Sequence, residues 1–385
     1  MTNMNNKVMI IAGEASGDLH GSGLVRELLK LQPDLELFGV GGDKMQQHGV
    51  SLRYHINEMS VLGFVDVFKR FRFFKRVYHD LVALMKEKQP RLLILIDYPG
   101  LNLKLARAAK KQGIQVLYYI APQVWAWGSN RIPKMVRLVD KMAVIIPFEA
   151  KLFRNAGIDA KFVGHPLLEG VASRHSKDEF IRLNNLALDK KIIGLLPGSR
   201  VQEIKRLLPE MIVTAKRFRK KHPEFQVVIG RASSVPDELY RDLIGKNNNI
   251  LLLENSTYEV MQHSDLLIVA SGTATLESAL FETPLMIVYK VDPISYFIGK
   301  QLIRIDSIGL VNVIAERKIV PEFIQNKFRW NYLLPEMEEL LFNDEKRNRV
   351  IHDLKQIKQK LGEPGASQRA AEIAMSMINS PLERP

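Results

Sequence analysis

Short apolar runs alternate with helical patterns along most of the chain. In the first half, these runs predict strands at residues 8–12, 35–40, 92–96, 115–120, 142–146 and 161–163. Helical patterns over 19–31 and 103–112 lie between them. The run over 92–96 is almost entirely aliphatic, which is typical of a parallel strand covered on both faces. The alternation predicts an α/β fold with a parallel sheet.

The second half repeats this rhythm. It predicts strands at residues 192–196, 225–229, 250–253, 266–269 and 285–288. Ser256 and Glu259 have the spacing of a capping box at the start of a helix, and the chain after residue 331 has helical patterns only. The sequence Gly164-His165-Pro166 interrupts the pattern. We therefore expect two Rossmann-like domains, over 1–166 and 167–349, with C-terminal helices over about 350–385 packing back on the first.

A glycine-rich turn follows the first predicted strand of each half, at Gly13 and at Gly198, and each turn opens a helical pattern. Strand, tight turn and helix in this order are typical of nucleotide-type α/β units. Two such units facing a cleft suit a reaction of two substrates. The glycine spacing differs from the dinucleotide fingerprint, and no Gly-Lys-Ser/Thr follows, so neither a Rossmann cofactor nor a P-loop is predicted.

Composition narrows the possible partners. The 385 residues include 55 Lys plus Arg and 42 Asp plus Glu, and the net charge of +13 favours anionic partners. The chain has no cysteine, and its nine histidines form no metal-binding pair, so we expect neither a metal nor a cofactor. No apolar stretch reaches the roughly 18 residues of a membrane span. We expect a cytoplasmic protein whose membrane contact is peripheral.

The second half holds two helix starts that suit phosphate. Gly198, Ser199 and Arg200 combine small residues, a helix N-terminus and a guanidinium. An N-cap role explains Ser199 equally well. Ser271, Gly272 and Thr273 open another helix, with Glu277 one turn further, where a carboxylate could accept hydrogen bonds from a ribose. Two phosphate-suited helix starts in one domain indicate a nucleoside diphosphate.

A carboxylate, Asp97, ends the aliphatic strand of the first half. At the carboxyl end of a strand it is well placed as a general base, although capping of the following turn is the more common role of such a residue. Polar residues also crowd the first turn, where Glu14, Asp18 and His20 are rival bases; the acceptor-side set is Gly13, Glu14, Ser16, Asp18 and His20. The segment 123–127, with two tryptophans, suits either the core or an apolar acceptor wall.

Residues 64–85 combine phenylalanines with basic side chains. At helical spacing, an apolar face is formed by Phe64, Val67, Phe68, Phe71, Phe74, Tyr78 and Leu81, and Phe73 and Lys75 break this pattern. Such a stripe is usually core, but five basic residues within 69–76 also suit an anionic lipid surface. The membrane-contact hypothesis names Phe64, Phe68, Phe71, Arg72, Phe74 and Lys75.

Together, these strings resemble the lipid-A-disaccharide synthase family. The resemblance includes the turn over 10–21, Asp97, and the strings over 123–127, 163–167, 196–200 and 270–277, all in the family's order. It implies a GT-B glycosyltransferase that joins UDP-2,3-diacylglucosamine to 2,3-diacylglucosamine 1-phosphate, with inversion and without a metal. The product would be the lipid A disaccharide 1-phosphate, and UDP would leave.

The resemblance also implies individual roles. Asp97 takes the place of the family's essential aspartate and Arg200 that of its diphosphate-facing arginine; the nucleotide loop includes Ser271, Gly272, Thr273 and Glu277. Asn312 matches a further functional position, and the turn over 13–20 serves the acceptor. The resemblance further implies a peripheral enzyme at the cytoplasmic face of the inner membrane and a homodimer with exchanged C-terminal portions.

Two alternatives stay open from the sequence. Another GT-B transferase or a UDP-N-acetylglucosamine epimerase would share the two domains and the nucleotide loops. A basic nucleic-acid-binding protein would explain the charge of +13. The dispersed basic residues and the absence of a recognition motif argue against nucleic acid as a partner.

Overall fold

The computed structural model describes residues 6–59, 71–245, 249–292, 296 and 307–380. The chain forms two compact units. The first contains Met1–Glu169 and Leu361–Pro385, and the second contains Gly170–Lys360. Both are α/β units built on a parallel sheet, as the alternation of apolar and helical patterns predicts.

The first unit has a seven-stranded sheet in the order β3-β2-β1-β4-β5-β6-β7. Its strands are β1 (Lys7–Ala12), β2 (Glu36–Gly41), β3 (Ser51–His55), β4 (Leu92–Ile96), β5 (Gln115–Tyr119), β6 (Lys141–Val144) and β7 (Asp159–Phe162). All neighbouring pairs are parallel. Strand β4 is buried along its whole length because helices cover both faces of the sheet.

Helices connect these strands. They are α1 (Ala15–Leu31), α2 (Asp43–Gln47), α3 (Ile56–Met59), α4 (Phe71–Lys88), α5 (Pro99–Lys111), α6 (Val124–Trp127), α7 (Ile132–Val136) and α8 (Pro147–Asn155), with 3-10 turns at Ser129–Arg131 and Pro166–Glu169. Strand order reverses between β1 and β4, which are neighbours although β2 and β3 intervene in sequence. In open α/β sheets, ligands bind at the carboxyl ends of strands at this reversal.

The second unit has a six-stranded parallel sheet in the order β10-β9-β8-β11-β12-β13. Its strands are β8 (Lys191–Leu196), β9 (Phe225–Gly230), β10 (Ile250–Leu253), β11 (Leu266–Ala270), β12 (Leu285–Tyr289) and β13 (Glu322–Ile324). The reversal here lies between β8 and β11. The glycine-rich turn after β8 and the hydroxyl-rich turn after β11 therefore emerge side by side.

The helices of the second unit are α9 (Lys177–Leu183), α10 (Val201–Lys221), α11 (Asp237–Ile244), α12 (Thr257–His263), α13 (Thr273–Leu280), α14 (Leu310–Ala315), α15 (Trp330–Phe342) and α16 (Asp344–Lys360), with a 3-10 turn at Gln325–Lys327. The final helix, α17 (Ala366–Asn379), packs against α1 of its own chain. Exchange of this portion between two copies stays a prediction.

The expectation that all helices from about residue 350 join the first unit is wrong in part. Residues 350–360 belong to α16, which packs in the second unit against α13, α14 and α15. The reason is its apolar face, since Val350, Leu354 and Ile357 are buried there. Burial of these side chains fixes the helix to the second unit.

Three local features differ from the sequence analysis. Strands β3 and β13 lack a long apolar run and were not predicted. The capping box at Ser256 is absent: its side chain does not cap α12, and Glu259 instead accepts a hydrogen bond from the Arg174 amide at 3.0 Å.

None of the helices in the described ranges is long and apolar enough to cross a membrane.

Candidate functional site

Asp97 lies directly after β4, at the strand-order reversal of the first sheet. Asp97 and Tyr98 both adopt left-handed backbone conformations, with φ of 44° and 47°, which is uncommon for residues other than glycine. Two buried side chains fix this turn: the Asn102 amide and the Tyr118 hydroxyl donate hydrogen bonds to the Asp97 carbonyl at 2.7 and 2.6 Å. Strained turns of this kind concentrate at functional sites, where they aim a side chain.

The glycine at the end of β1 makes room for this turn. A Cβ atom added to Gly13 would lie 2.5 Å from the Tyr98 ring, closer than carbon atoms can approach. Gly13 is therefore required by packing between the turn after β1 and the turn after β4.

Asp97 opens into a cavity of about 880 Å³. Glu14 and Tyr98 line it at the end of the sheet, and α4 contributes Phe74 and Tyr78. Such a volume suits a substantial organic ligand. A carboxylate beside an apolar wall suits the activation of a hydroxyl group.

Burial, and to a lesser extent the nearby charge of Glu14, together raise the pKa of Asp97 to about 6. A carboxyl group with this pKa is ionised at neutral pH, yet it binds a proton more readily than an ordinary aspartate. Both properties suit a general base, whose efficiency is greatest when its pKa approaches the working pH. Burial and like charge thus tune the one side chain that the strained turn positions.

We expect activity to depend on this pKa. Because a base must be unprotonated, kcat/KM should fall below about pH 6 with a slope of one. A phosphomonoester on a ligand would also titrate near pH 6, so the pH profile of Glu14→Gln is needed to distinguish the two groups. Loss of the like charge lowers the pKa of Asp97, so the acid limb of the profile should move to lower pH. An unmoved limb in Glu14→Gln would assign it to the substrate.

The other acceptor-side residues have different surroundings. Ser16 is exposed in the first turn of α1. Asp18 is buried and accepts hydrogen bonds from the backbone amides of Gly42, Lys44 and Met45 at 2.8, 3.1 and 3.0 Å. It caps the start of α2, and this accounts for both carboxylate oxygens. These contacts favour a structural role for Asp18 over that of a rival base.

His20 belongs to a separate polar cluster. Removal from water lowers its pKa to about 4, against the charge of Glu169, which raises it. The Glu169 carboxylate accepts hydrogen bonds from the Ser367 amide and hydroxyl at 2.9 and 2.8 Å. These hydrogen bonds join the start of α17 to the 3-10 turn at Pro166–Glu169. His20 does not line the Asp97 cavity.

Helix α4 serves both the core and the cavity. Val77, Leu81 and Met85 are fully buried. Phe74 is half-buried and lines the cavity. Arg72 and Lys75 are exposed, and Lys75 also lines the cavity. Phe73, which breaks the predicted stripe, in fact packs on the core. Phe64 and Phe68 lie outside the described residues, as does the side chain of Phe71.

The sequence did not predict a buried carboxyl group, that of Glu149. It accepts a hydrogen bond from the Trp125 indole at 2.9 Å, and burial raises its pKa to about 8. Trp125 also packs edge-on against Phe148, with ring centroids 5.1 Å apart. For Trp125, this favours the core interpretation of the segment 123–127. A carboxyl group bound by a tryptophan leaves no sequence signal, because the residues are far apart in the chain.

In the second unit, Gly198, Ser199 and Arg200 lie between β8 and α10. Gly198 has a φ of +108°, which glycine adopts without strain. The Ser199 amide and the Arg200 guanidinium donate to the two Glu203 carboxylate oxygens at 3.2 and 3.1 Å. A carboxylate thus already occupies the anion position that the sequence predicts. Arg200 remains 68% exposed, so an external anion has access to it.

The neighbouring turn carries Ser271, Gly272 and Thr273 at the start of α13. The Ser271 hydroxyl donates to the Ile308 carbonyl at 3.0 Å, and Thr273 is exposed. Glu277 is half-buried and accepts a hydrogen bond from the Tyr258 hydroxyl at 3.2 Å. Burial raises its pKa. A carboxylate held in this way suits recognition of ribose hydroxyl groups.

Asn312 is buried, and its amide is fully bonded within the protein. It donates to the Val320 carbonyl at 2.9 Å and to Glu322 Oε1 at 2.8 Å, and it accepts from the amides of Ile319 and Val320. Glu322 in turn holds the Ile308 amide at 3.0 Å. Asn312 therefore supports the segment that Ser271 contacts, which favours a positioning role over direct contact with a nucleotide.

The two parallel-sheet α/β units, each with a strand-order reversal in its sheet, define a protein of the GT-B fold class. The chain resembles the UDP-GlcNAc 2-epimerase of Neisseria meningitidis, solved with UDP-GlcNAc, with a TM-score of 0.65 and 13% identity over 96% of this chain and 100% of that one. The UDP-GlcNAc 2-epimerase of Methanocaldococcus jannaschii gives a TM-score of 0.62, with 11% identity over 96% of this chain and 99% of that one. At these identities the likeness shows the fold alone.

The family model described as lipid-A-disaccharide synthetase matches residues 8–377. The lipid-A-disaccharide synthase of Syntrophus aciditrophicus is 43% identical over 97% of this chain and 99% of its own length. That of Geobacter sulfurreducens is 41% identical, over 98% of both chains. The chain belongs to the lipid-A-disaccharide synthase family, and it is a glycosyltransferase of lipid A biosynthesis. Within the described residues, no group of three or more His, Asp or Glu side chains is arranged to hold a metal ion.

Proposed function

We propose that the chain joins UDP-2,3-diacylglucosamine to 2,3-diacylglucosamine 1-phosphate. The products are the β-1,6-linked lipid A disaccharide 1-phosphate and UDP. Family membership over residues 8–377 supports the activity. The observation that carries the mechanism is Asp97, a carboxylate with a raised pKa on a strained turn in a large cavity with aromatic side chains.

The reaction is a single displacement with inversion. The acceptor's 6-hydroxyl oxygen attacks the anomeric carbon of the donor, and its proton passes to the Asp97 carboxylate. The bond from the anomeric carbon to the diphosphate oxygen breaks, and its electron pair leaves with UDP. Departing UDP needs no proton, because a diphosphate is a stable anion. One base therefore suffices.

The second unit stabilises the charge that develops on the diphosphate. Amide groups at the starts of α10 and α13 and the Arg200 guanidinium supply hydrogen bonds without a metal ion. Glu203 must release these donors as the diphosphate binds, since its carboxylate contacts the Ser199 amide and Arg200. Glu277 and the Ser271 loop hold the uridine.

The direct test is incubation of the purified chain with both acylated substrates, followed by mass spectrometry of UDP and disaccharide. We expect equal amounts of the two products. Plain UDP-N-acetylglucosamine in place of the acylated donor should give no disaccharide. Release of UDP without disaccharide, or isomerisation of the plain donor, would contradict the proposal and favour a hydrolase or an epimerase.

We further propose peripheral contact with the anionic cytoplasmic face of the inner membrane, through α4 and the segment before it. The described part presents Arg72 and Lys75 as exposed cations beside the half-buried Phe74. Arg72→Glu combined with Lys75→Glu should weaken binding to phosphatidylglycerol vesicles at least about 30-fold, since each basic residue near such a surface contributes about 1 kcal/mol. Vesicle sedimentation at two salt concentrations measures this.

The matched control is Lys216→Glu with Lys220→Glu. Both lysines are exposed on α10 of the second unit, and their reversal changes net charge by the same amount. We expect the control to sediment almost like the wild type. Equal loss in both variants would show that total charge, and not α4, determines binding.

A further inference from the structure

A group of basic side chains lines the Asp97 cavity. Helix α5 contributes Lys104 and Arg107, and the turn before α7 and the helix itself contribute Arg131 and Lys134. A second cavity, of about 480 Å³, shares Arg107 and Lys134 with the first and adds Arg137. The two cavities therefore adjoin at two cations.

The spacing of these residues gives them a common direction. Lys104 and Arg107 are three positions apart on α5, as are Lys134 and Arg137 along α7 and its C-terminal end. Residues three apart lie on the same face of a helix. Two helices thus present paired cations to the two adjoining cavities.

No carboxylate in the described part of the chain neutralises these four cations. Among the described residues, no carboxylate forms an ion pair with Lys104, Arg107, Lys134 or Arg137, and the second cavity is lined by no acidic side chain. Lys110 on the same α5, in contrast, is paired with Asp140 at 2.6 Å. Unpaired cations gathered around a cavity favour an anionic group on the ligand.

The position of these cations relative to Asp97 indicates which group of the acceptor they bind. In a hexosamine 1-phosphate, the 6-hydroxyl group extends from C5 and the phosphate from C1, so the two groups leave the ring from separate carbons on either side of its oxygen. Counted from Pro99, which follows Asp97 and Tyr98, Lys104 and Arg107 lie about 8 and 12 Å along the axis of α5. Asp97 and Glu14 would repel a phosphate, so the hydroxyl lies at the carboxylates and the phosphate at the cations.

We infer that Arg107, Lys134 and Arg137 bind the acceptor's phosphomonoester and so make the enzyme specific for a 1-phosphorylated acceptor. The inference rests on the proposed function, because it assigns one end of that acceptor. It adds a specificity element that is separate from the base. The aromatic side chains Phe74 and Tyr78, on the same cavity, are left to contact the apolar part of the substrate.

The test compares two acceptors in neutral detergent micelles: 2,3-diacylglucosamine 1-phosphate and the methyl glycoside of 2,3-diacylglucosamine. The wild type should prefer the phosphorylated acceptor in kcat/KM. Arg107→Ala, Lys134→Ala and Arg137→Ala should each reduce this preference about tenfold, through KM, because each loses a charge-assisted hydrogen bond. Turnover of the methyl glycoside should change less than about twofold, and Lys134→Arg should restore most of the preference.

Lys111→Ala is the matched control, since Lys111 is exposed on α5 but lines neither cavity; it should keep the wild-type preference. Equal loss with both acceptors, or an unchanged preference in the triple variant, would overturn the inference. Loss of phosphatidylglycerol vesicle binding with the preference intact would also overturn it and assign the cations to lipid headgroups. If neither acceptor gives disaccharide with the wild type, the proposed function itself is wrong.

Discussion

Asp97→Asn should lower kcat by about 10³-fold or more, because an amide cannot accept the proton of the attacking hydroxyl group. The substitution keeps the size of the side chain and the backbone contacts of the turn, which Asn102 and Tyr118 hold through the Asp97 carbonyl. KM values for both substrates should therefore change little. Initial rates of disaccharide formation, with each substrate varied in turn, measure this separation.

The same substitution should stabilise the first unit. Since the pKa of Asp97 is raised from 3.8 to about 6 in the folded chain, the folded state binds more protons than the unfolded state between these values. Stability is lost as pH rises through this window, and the ionised carboxylate is a cost at neutral pH. Asn lacks this cost, so the free energy of unfolding should rise by about 1–3 kcal/mol. At about pH 4 the difference should largely vanish.

Asp159→Asn is the control for both measurements. Asp159 is an exposed carboxylate at the start of β7, so its replacement should change neither activity nor stability appreciably. More than a tenth of wild-type kcat in Asp97→Asn would refute the assignment of the base. Glu14, which lines the same cavity, would then be the residue to test.

Most of the architecture follows from the sequence. Aliphatic runs such as Leu92–Ile96 and Leu266–Ala270 are strands because only a doubly covered parallel strand buries every residue in turn. Glycine-rich turns between strand and helix are equally easy to recognise in the sequence. Alternation and motifs together also gave the family, which the match over residues 8–377 confirms.

What the sequence could not provide is the partner of each polar side chain. Asp18 and Asp97 both follow strands of the first sheet, yet one caps α2 and the other faces a cavity. Asn312 matches a functional position, but its amide is bonded to the chain around β13, a strand too short to predict. Such distinctions depend on contacts between residues far apart in sequence. For the same reason, the sequence could not predict that Lys104 and Lys134 line one cavity.

Arg200→Ala should lower kcat about 10²-fold and weaken UDP binding about tenfold. The guanidinium is exposed at the start of α10, where it adds a full charge to the partial charge of the helix N-terminus. Its bond to the diphosphate strengthens as negative charge develops on the leaving oxygen, so the loss should be larger in kcat than in binding. Arg200→Lys should retain an intermediate rate, since it keeps the charge without the bidentate geometry. Steady-state kinetics and calorimetry with UDP measure the two effects.

Lys216→Ala on the same helix is the control, about 24 Å further along its axis, and it should behave like the wild type. Glu203→Gln provides an independent check of the same site. The Glu203 carboxylate contacts the Ser199 amide and Arg200 and so competes with the diphosphate; its neutralisation should tighten UDP binding. If Arg200→Ala leaves both kcat and UDP affinity within about threefold, the diphosphate is held elsewhere in the second unit. Arg206, which acts with Arg200 on the pKa of Tyr289 at the end of β12, would be the next residue to replace.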